Sequence, residues 1–254
     1  MKVTPRLLTE QLFHDRQAAG RASRFAADAA LRFRDDEYLD HEPWIRPAFE
    51  LLGDIAGKRV LDYGCGHGMA SVVLARRGAI VTGIDLSPGY IVEAHRRAEA
   101  NKVTVEFRTA DAEQLPFADS TFDAIWGCAI LHHLDLRQAS QELLRVLKRD
   151  GVAVFCEPWG GNPLLEFARG YLPYRGKHRT PDEKPLRKAD LDSLREYFPQ
   201  LDVRGFQLFG AVHRVFRRES PAGGWLDRCD RWLFRQVPAL EKWSRYMVVR
   251  LSRA

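Results

Sequence analysis

Cysteine is scarce in this chain of 254 residues, which carries only four, at positions 65, 128, 156 and 229. None has C-x-x-C spacing or a paired set of histidines, so neither a zinc centre nor a disulfide framework is indicated, and no metal is expected. Three of the four fall at the expected carboxyl ends of strands, where a small residue fits a crowded site. A redox or arsenic-type thiol role is the alternative reading. Long apolar runs are also missing. Nothing approaches the roughly 20 apolar residues of a membrane span, and the opening residues, with Lys2, Arg6 and Glu10 close together, lack the apolar stretch of a secretory leader. A cytoplasmic enzyme is therefore expected. Internal repeats and low-complexity tracts are absent too, which leaves one core with additions as the economical reading of this length.

The chain does have a dense glycine turn. From Arg59 to Met69 it reads Arg-Val-Leu-Asp-Tyr-Gly-Cys-Gly-His-Gly-Met, with glycines at 64, 66 and 68 after a short apolar run. This is the pattern of a buried strand, a tight turn and a helix. Glycines so spaced open backbone conformations closed to other residues and let a ligand lie against the main chain. The dinucleotide fingerprint G-x-G-x-x-G needs glycine at 69, where Met69 stands, so the spacing argues against NAD. Beyond the turn, strand and helix alternate at short intervals, as in a parallel sheet with crossover helices. Strands are expected at about 59–63, 80–84, 103–108, 122–128 and 151–156, then 201–208 and 246–251. Helices are expected at about 68–77, 89–100, 137–148 and 190–198, preceded by helical segments within 9–34 and 48–56.

In combination these residues resemble the successive motifs of the class I S-adenosylmethionine-dependent methyltransferases, of the type 11-like kind. The resemblance rests on Asp62-x-Gly64-x-Gly66-x-Gly68, on Gly83-Ile84-Asp85-Leu86-Ser87, and on Asp111-Ala112-Glu113 followed by Phe122-Asp123. It implies a Rossmann-like, doubly wound α/β fold with a seven-stranded, mostly parallel sheet and an antiparallel last strand. Residues 1–57 would form an N-terminal helical cap, and 58–254 the methyltransferase domain. Insertions at about 157–185, with one short helix near 164–170, and at about 209–244, a helical lid, would roof the active site.

The resemblance also assigns S-adenosylmethionine as cofactor, bounded by Asp62, Gly64, Cys65, Gly66, Gly68, Asp85, Leu86, Asp111, Ala112 and Cys128. Asp85 would accept hydrogen bonds from both ribose hydroxyls, Asp111 one from the adenine amino group, and Asp62 would order the loop amides. Methyl transfer to oxygen benefits from a general base, for which His132, His133 and Glu157 are the candidates after the fourth and fifth strands. Leu131-His132-His133-Leu134 is equally a loop packed on its leucines. The family's exocyclic-amine methylators carry Asp/Asn-Pro-Pro-aromatic where this chain has Gly127-Cys128-Ala129-Ile130, which disfavours adenine in nucleic acid or glutamine as acceptor. A small or lipophilic metabolite methylated at oxygen is expected. Carbon or nitrogen methylation, and a cofactor-binding protein without transfer activity, stay open.

Positive charge is concentrated at one end. Between Arg204 and Ala254 there are 11 Lys and Arg against 4 Asp and Glu, an excess of seven, whereas the first 203 residues carry a net −2. Val212, Val215 and Phe216 lie among His213, Arg214, Arg217 and Arg218, and Trp225, Cys229, Trp232 and Leu233 share a helical face among Arg228, Arg231 and Arg235. Peripheral contact with anionic lipid is one reading of this basic lid. A helix with its apolar face on the core and its charges in water is the other. No nucleic-acid partner is expected, because the charge is not joined to a recognisable RNA-binding module. The oligomeric state is left open.

Overall fold

The apolar run Val60-Leu61 lies in β1 (Arg59–Tyr63), a central strand of a seven-stranded sheet. This computed structural model describes residues 5–22, 28–163, 165, 184–209 and 224–253. The other strands are β2 (Ile80–Asp85), β3 (Glu106–Thr109), β4 (Phe122–Cys128), β5 (Leu147–Pro158), β6 (Gln200–Phe206) and β7 (Tyr246–Ser252), arranged β3-β2-β1-β4-β5-β7-β6. β1 pairs in parallel with β2 and β4, and β4 with β5, whereas β7 runs antiparallel between β5 and β6. β6 therefore points the same way as β1–β5, and six carboxyl ends meet at one edge of the sheet.

Period-two alternation divides the core into two layers. On one face Val60, Val81, Ala124, Trp126, Val154 and Val248 pack with α3 (Ile45–Glu50), α4 (Met69–Arg76) and α5 (Pro88–Ala100). On the other, Leu61, Ile84, Ile125, Phe155 and Val249 pack with α6 (Leu136–Val146) and α7 (Lys188–Tyr197). Trp126 is fully buried with its ring centroid 4.2 Å from that of Phe49, so it belongs to the core rather than to a ligand surface. Two more helices precede the sheet, α1 (Pro5–Ala22) and α2 (Asp35–Leu39), and α8 (Trp225–Gln236) precedes β7.

The principal departure from the expected elements is at residues 147–151. The helix stops at Val146 and Leu147 already pairs with Phe122, but Ala124 then pairs with Val152, so the register shifts across Lys148-Arg149-Asp150-Gly151. This polar stretch has no apolar periodicity to hold it in the helix, and a β-carbon at Gly151 would lie 2.6 Å from Leu147 and 2.9 Å from the Lys148 carbonyl. The short helix expected near 164–170, most of the 157–185 insertion, and Val212 to Arg218 lie outside the described residues.

The apolar face of α8 is turned outward, against the reading that packs it on the core. Trp225 and Trp232 are 62% and 64% exposed, while Asp227, Asp230 and Phe234 face inward. Asp230 accepts hydrogen bonds from the amides of Leu208 (3.0 Å) and Phe209 (2.9 Å), just past the carboxyl end of β6. Asp230, buried and satisfied by main-chain amides, holds this helix down, and the tryptophans are left outside.

Candidate active site

The glycine turn closes β1 with three left-handed residues, Gly64 (φ 75°), Gly66 (φ 50°) and Gly68 (φ 82°). The turn is laced to β2. The Cys65 amide donates to the Ile84 carbonyl (2.7 Å) and the Gly66 amide to Asp85 Oδ2 (2.8 Å), while Asp85 Oδ1 accepts from the Ser87 amide (2.9 Å). Ser87 caps α5 by accepting from the Tyr90 amide (3.1 Å), with Pro88 at the first helical position. Leu86 is half-buried between these two capping residues.

Asp62 is buried just before the turn and accepts a hydrogen bond from Ser71 on α4. Burial pushes its carboxyl up to about 7 against the opposing pull of Ser71. Asp85 is raised by burial as well, with the Ser87 and Gly66 amides limiting the rise. Burial also drives Cys65 and Cys156 upward, so neither offers a thiolate near neutral pH. Cys156 faces Cys128, itself half-buried, across β4 and β5, and both are free thiols.

After β3, Asp111 is buried and folds back on its own turn, its Oδ1 accepting from the Glu113 amide (2.9 Å). The Ala112 carbonyl accepts from the Tyr63 hydroxyl (2.6 Å), which ties this turn to the end of β1. A cavity of about 700 Å³ opens beside Asp111, lined also by Arg6, Glu113, Gln138 and Glu142.

After β4, Ala129 takes a left-handed conformation (φ 57°), which a residue with a β-carbon adopts at a cost of about 1–2 kcal/mol. The strained turn brings the next amides onto Glu157. Fully buried at the end of β5, Glu157 accepts from Ile130 (3.0 Å) and Leu131 (2.9 Å) through Oε1 and lies 2.7 Å from His132 Nδ1 through Oε2. His132 and Glu157 thus form a fixed pair, with Glu157 behind the imidazole. His133 turns toward α1 instead.

α1 falls among the helical segments expected within 9–34, but residue patterns do not give its partners. It crosses the carboxyl edge of the sheet. Arg6 donates to the His133 carbonyl (2.7 Å) and to Glu113 Oε2 (2.6 Å), the Asp15 carboxylate accepts from Ser87 Oγ and from the Gly89 amide (3.3 Å), and Arg21 pairs with Glu93 (2.9 Å). Each contact joins residues more than 70 positions apart, so no local signal reports it. Residue patterns do not point to Tyr63 or Ala129 either. The first sits inside the glycine motif in plain view, whereas the second shows itself only through its φ.

Two observations test whether this edge fits an adenosyl-sulfonium ligand. A β-carbon placed on Gly66 would meet no atom within 4 Å, so the space over the turn is free. His67 Nδ1, inside the turn, is buried and finds no hydrogen-bond partner among the described residues. Open main chain, an uncommitted polar atom and two carboxylates at neighbouring strand ends suit a polar, partly cationic ligand.

A sequence profile of the methyltransferase domain matches residues 61–155. A ubiquinone biosynthesis O-methyltransferase of Azorhizobium caulinodans is 30% identical over 195 residues, which cover 70% of this chain and 70% of that protein. The chain belongs to the class I S-adenosylmethionine-dependent methyltransferase family. Its cofactor is S-adenosylmethionine. A demethylmenaquinone methyltransferase of Clavibacter sepedonicus is 39% identical over 129 residues, covering 50% of this chain and 52% of that one. This methyltransferase thus spans about half the length of some of the curated relatives it matches. Among solved structures, geranyl diphosphate C-methyltransferase from Streptomyces coelicolor aligns with a TM-score of 0.59 at 18% identity, over 82% of this chain and 78% of that one. That likeness shows the Rossmann-like fold, and the seven-stranded sheet with β7 antiparallel agrees with it.

Proposed function

We propose that this protein transfers a methyl group from S-adenosylmethionine to an oxygen of a small, lipophilic acceptor. Bound cofactor supplies an activated methyl on a sulfonium, so the chain has to bind, orient and exclude water. In this reading Gly64, Cys65, Gly66 and Gly68 form the cradle, Asp85 and Leu86 hold the ribose end, Asp111 and Ala112 the adenine end, and Asp62 with the backbone near Cys128 the cationic end.

The observation that carries oxygen chemistry is the pair formed by His132 and Glu157. With the Nδ1 proton directed at Glu157, the imidazole lone pair lies on Nε2, the tautomer that accepts a proton. Glu157 is a positioning residue: fully buried and bound to two amides, it aligns the ring rather than meeting the acceptor. The relatives named for quinone biosynthesis support a ring-bearing, lipophilic acceptor.

His132→Asn should lower kcat by roughly 10²–10⁴-fold and leave the cofactor Kd within about twofold. Glu157→Gln should give a smaller loss, because it disturbs only the tautomer. Unchanged kcat in His132→Asn, measured on a panel of phenolic quinone precursors, would refute oxygen chemistry assisted by this base.

The exposed Trp225 and Trp232, flanked by Arg228, Arg231 and Arg235, support peripheral contact with an anionic bilayer where such acceptors dissolve. No helix among the described residues is long and apolar enough to cross a membrane. Binding to vesicles containing phosphatidylglycerol, lost in a Trp225→Ser, Trp232→Ser double variant, checks this part.

A further inference from the structure

Outside the pair formed by His132 and Glu157, a second group of side chains meets where α1 crosses the sheet edge. Glu10 and His14, four residues apart, lie on the same side of α1, and His133 reaches them from the turn after β4. His14 Nε2 and His133 Nδ1 each lie 3.5 Å from the same oxygen, Glu10 Oε2. That is long for a hydrogen bond between nitrogen and oxygen. It is close to the spacing that a tetrahedral ion imposes, since bonds of about 2.0–2.1 Å put two ligand atoms about 3.4 Å apart. All three ligand atoms fall within 4.8 Å of one another. His133 Nδ1 is buried and has no hydrogen-bond partner among the described residues.

We propose that Glu10, His14 and His133 bind one divalent transition-metal ion, Zn²⁺ in the first instance. Two imidazoles and one carboxylate suit zinc, cobalt or iron, whereas Mg²⁺ and Ca²⁺ prefer all-oxygen sets. Three protein ligands leave a fourth position for water or an acceptor oxygen. The supporting shell is present. The carbonyl of His133 is held by Arg6 (2.7 Å), and the His14 ring lies 6.0 Å from that of Tyr90, whose hydroxyl donates to Gln17 Oε1 (2.9 Å). The ion would join α1 to the loop after β4 and so fasten the helix across the glycine turn. Cysteine spacing says nothing of this site, because its ligands come from opposite sides of the sheet sequence, more than 100 residues apart.

The test uses the full chain, stripped with a chelator and titrated with Co²⁺ in the absence of cofactor. The expected result is one Co²⁺ per chain with the intense visible absorption of a four-coordinate ion, displaced by Zn²⁺ and not by Mg²⁺. Glu10→Gln, His14→Gln and His133→Gln should each weaken binding by more than roughly 100-fold, beyond what loss of an outer partner costs. His41→Gln, at an exposed histidine on another surface, should change nothing. Absence of saturable binding overturns the proposal, as does binding that survives in both His14→Gln and His133→Gln, which would mark an adventitious ion only. Circular dichroism confirms that each variant is folded. S-adenosylmethionine affinity, measured in parallel, separates failure of this site from failure of the methyltransferase reading.

Discussion

Asp62 offers a stability experiment whose sign can be worked out in advance. Its carboxyl is 2% exposed, and burial lifts it from 3.8 to about 7, with Ser71 pulling the other way and the charge of Asp85 adding to the rise. A carboxyl raised in the folded state binds its proton more tightly there than in the unfolded chain. Its contribution is therefore complete below the unfolded value and is lost as pH climbs toward about 7. At 1.36 kcal/mol per unit the whole span is about 4 kcal/mol, of which about 3 kcal/mol falls between pH 5 and pH 8. Asp62→Asn keeps the shape and an acceptor for the Ser71 hydroxyl, and it cannot ionise. In guanidinium unfolding of the cofactor-free protein, the variant should gain on the parent by about 3 kcal/mol between those two pH values.

The comparison has to be a difference between the two proteins, because other groups titrate in the same interval. Burial, with Arg21 and Arg97 nearby, holds His67 down to about 4. A histidine depressed in the folded state makes stability rise as pH goes from about 4 to 6.5, and it does so equally in parent and variant. A difference that stays constant from pH 5 to pH 8 would refute the reasoning, for it would mean that Asp62 ionises normally in the fold. Calorimetry with the cofactor supplies the other half. A residue kept at a cost to stability should serve binding, so Asp62→Asn should weaken the cofactor Kd by about tenfold or more.

The glycine turn separates strain from occupancy. Gly68→Ala places a β-carbon 2.9 Å from that of Ala94 at a left-handed φ, and chemical denaturation should show a loss of about 3 kcal/mol. Gly66→Ala meets open space, so it should cost only about 1–2 kcal/mol in stability and yet abolish detectable cofactor binding in calorimetry. Asp85→Asn replaces an oxygen that faces a main-chain N–H with an amide group and removes the charge. The expected loss is about 3 kcal/mol of cofactor affinity, roughly 100-fold in Kd, with far-ultraviolet circular dichroism unchanged.

Local rules made most of the sheet legible. Strand positions followed from short apolar runs closed by turn residues, α5 from helical spacing over about 89–100, and the glycine turn from the spacing of Gly64, Gly66 and Gly68. These signals are complete within a dozen neighbouring residues. The start of β5 is not legible for the same reason: the expected helix runs to about 148, and nothing local says that Leu147 will pair with Phe122. With α8, the reading that packs its apolar face on the core fails, because Asp230 could be buried once β6 ended in amides that needed acceptors.

By itself the sequence determined an α/β sheet, a glycine turn after β1 and a carboxylate at the end of β2, since periodicity and glycine conformation act over short stretches of chain. Only the tertiary structure decided that Glu157 backs His132 rather than acting alone, that α1 lies over the sheet edge, and that Glu10 and His14 meet His133 there. Those arrangements depend on side chains 25 to more than 100 residues apart. Their energy comes from closing long loops and burying polar groups together, and no window of sequence contains both partners.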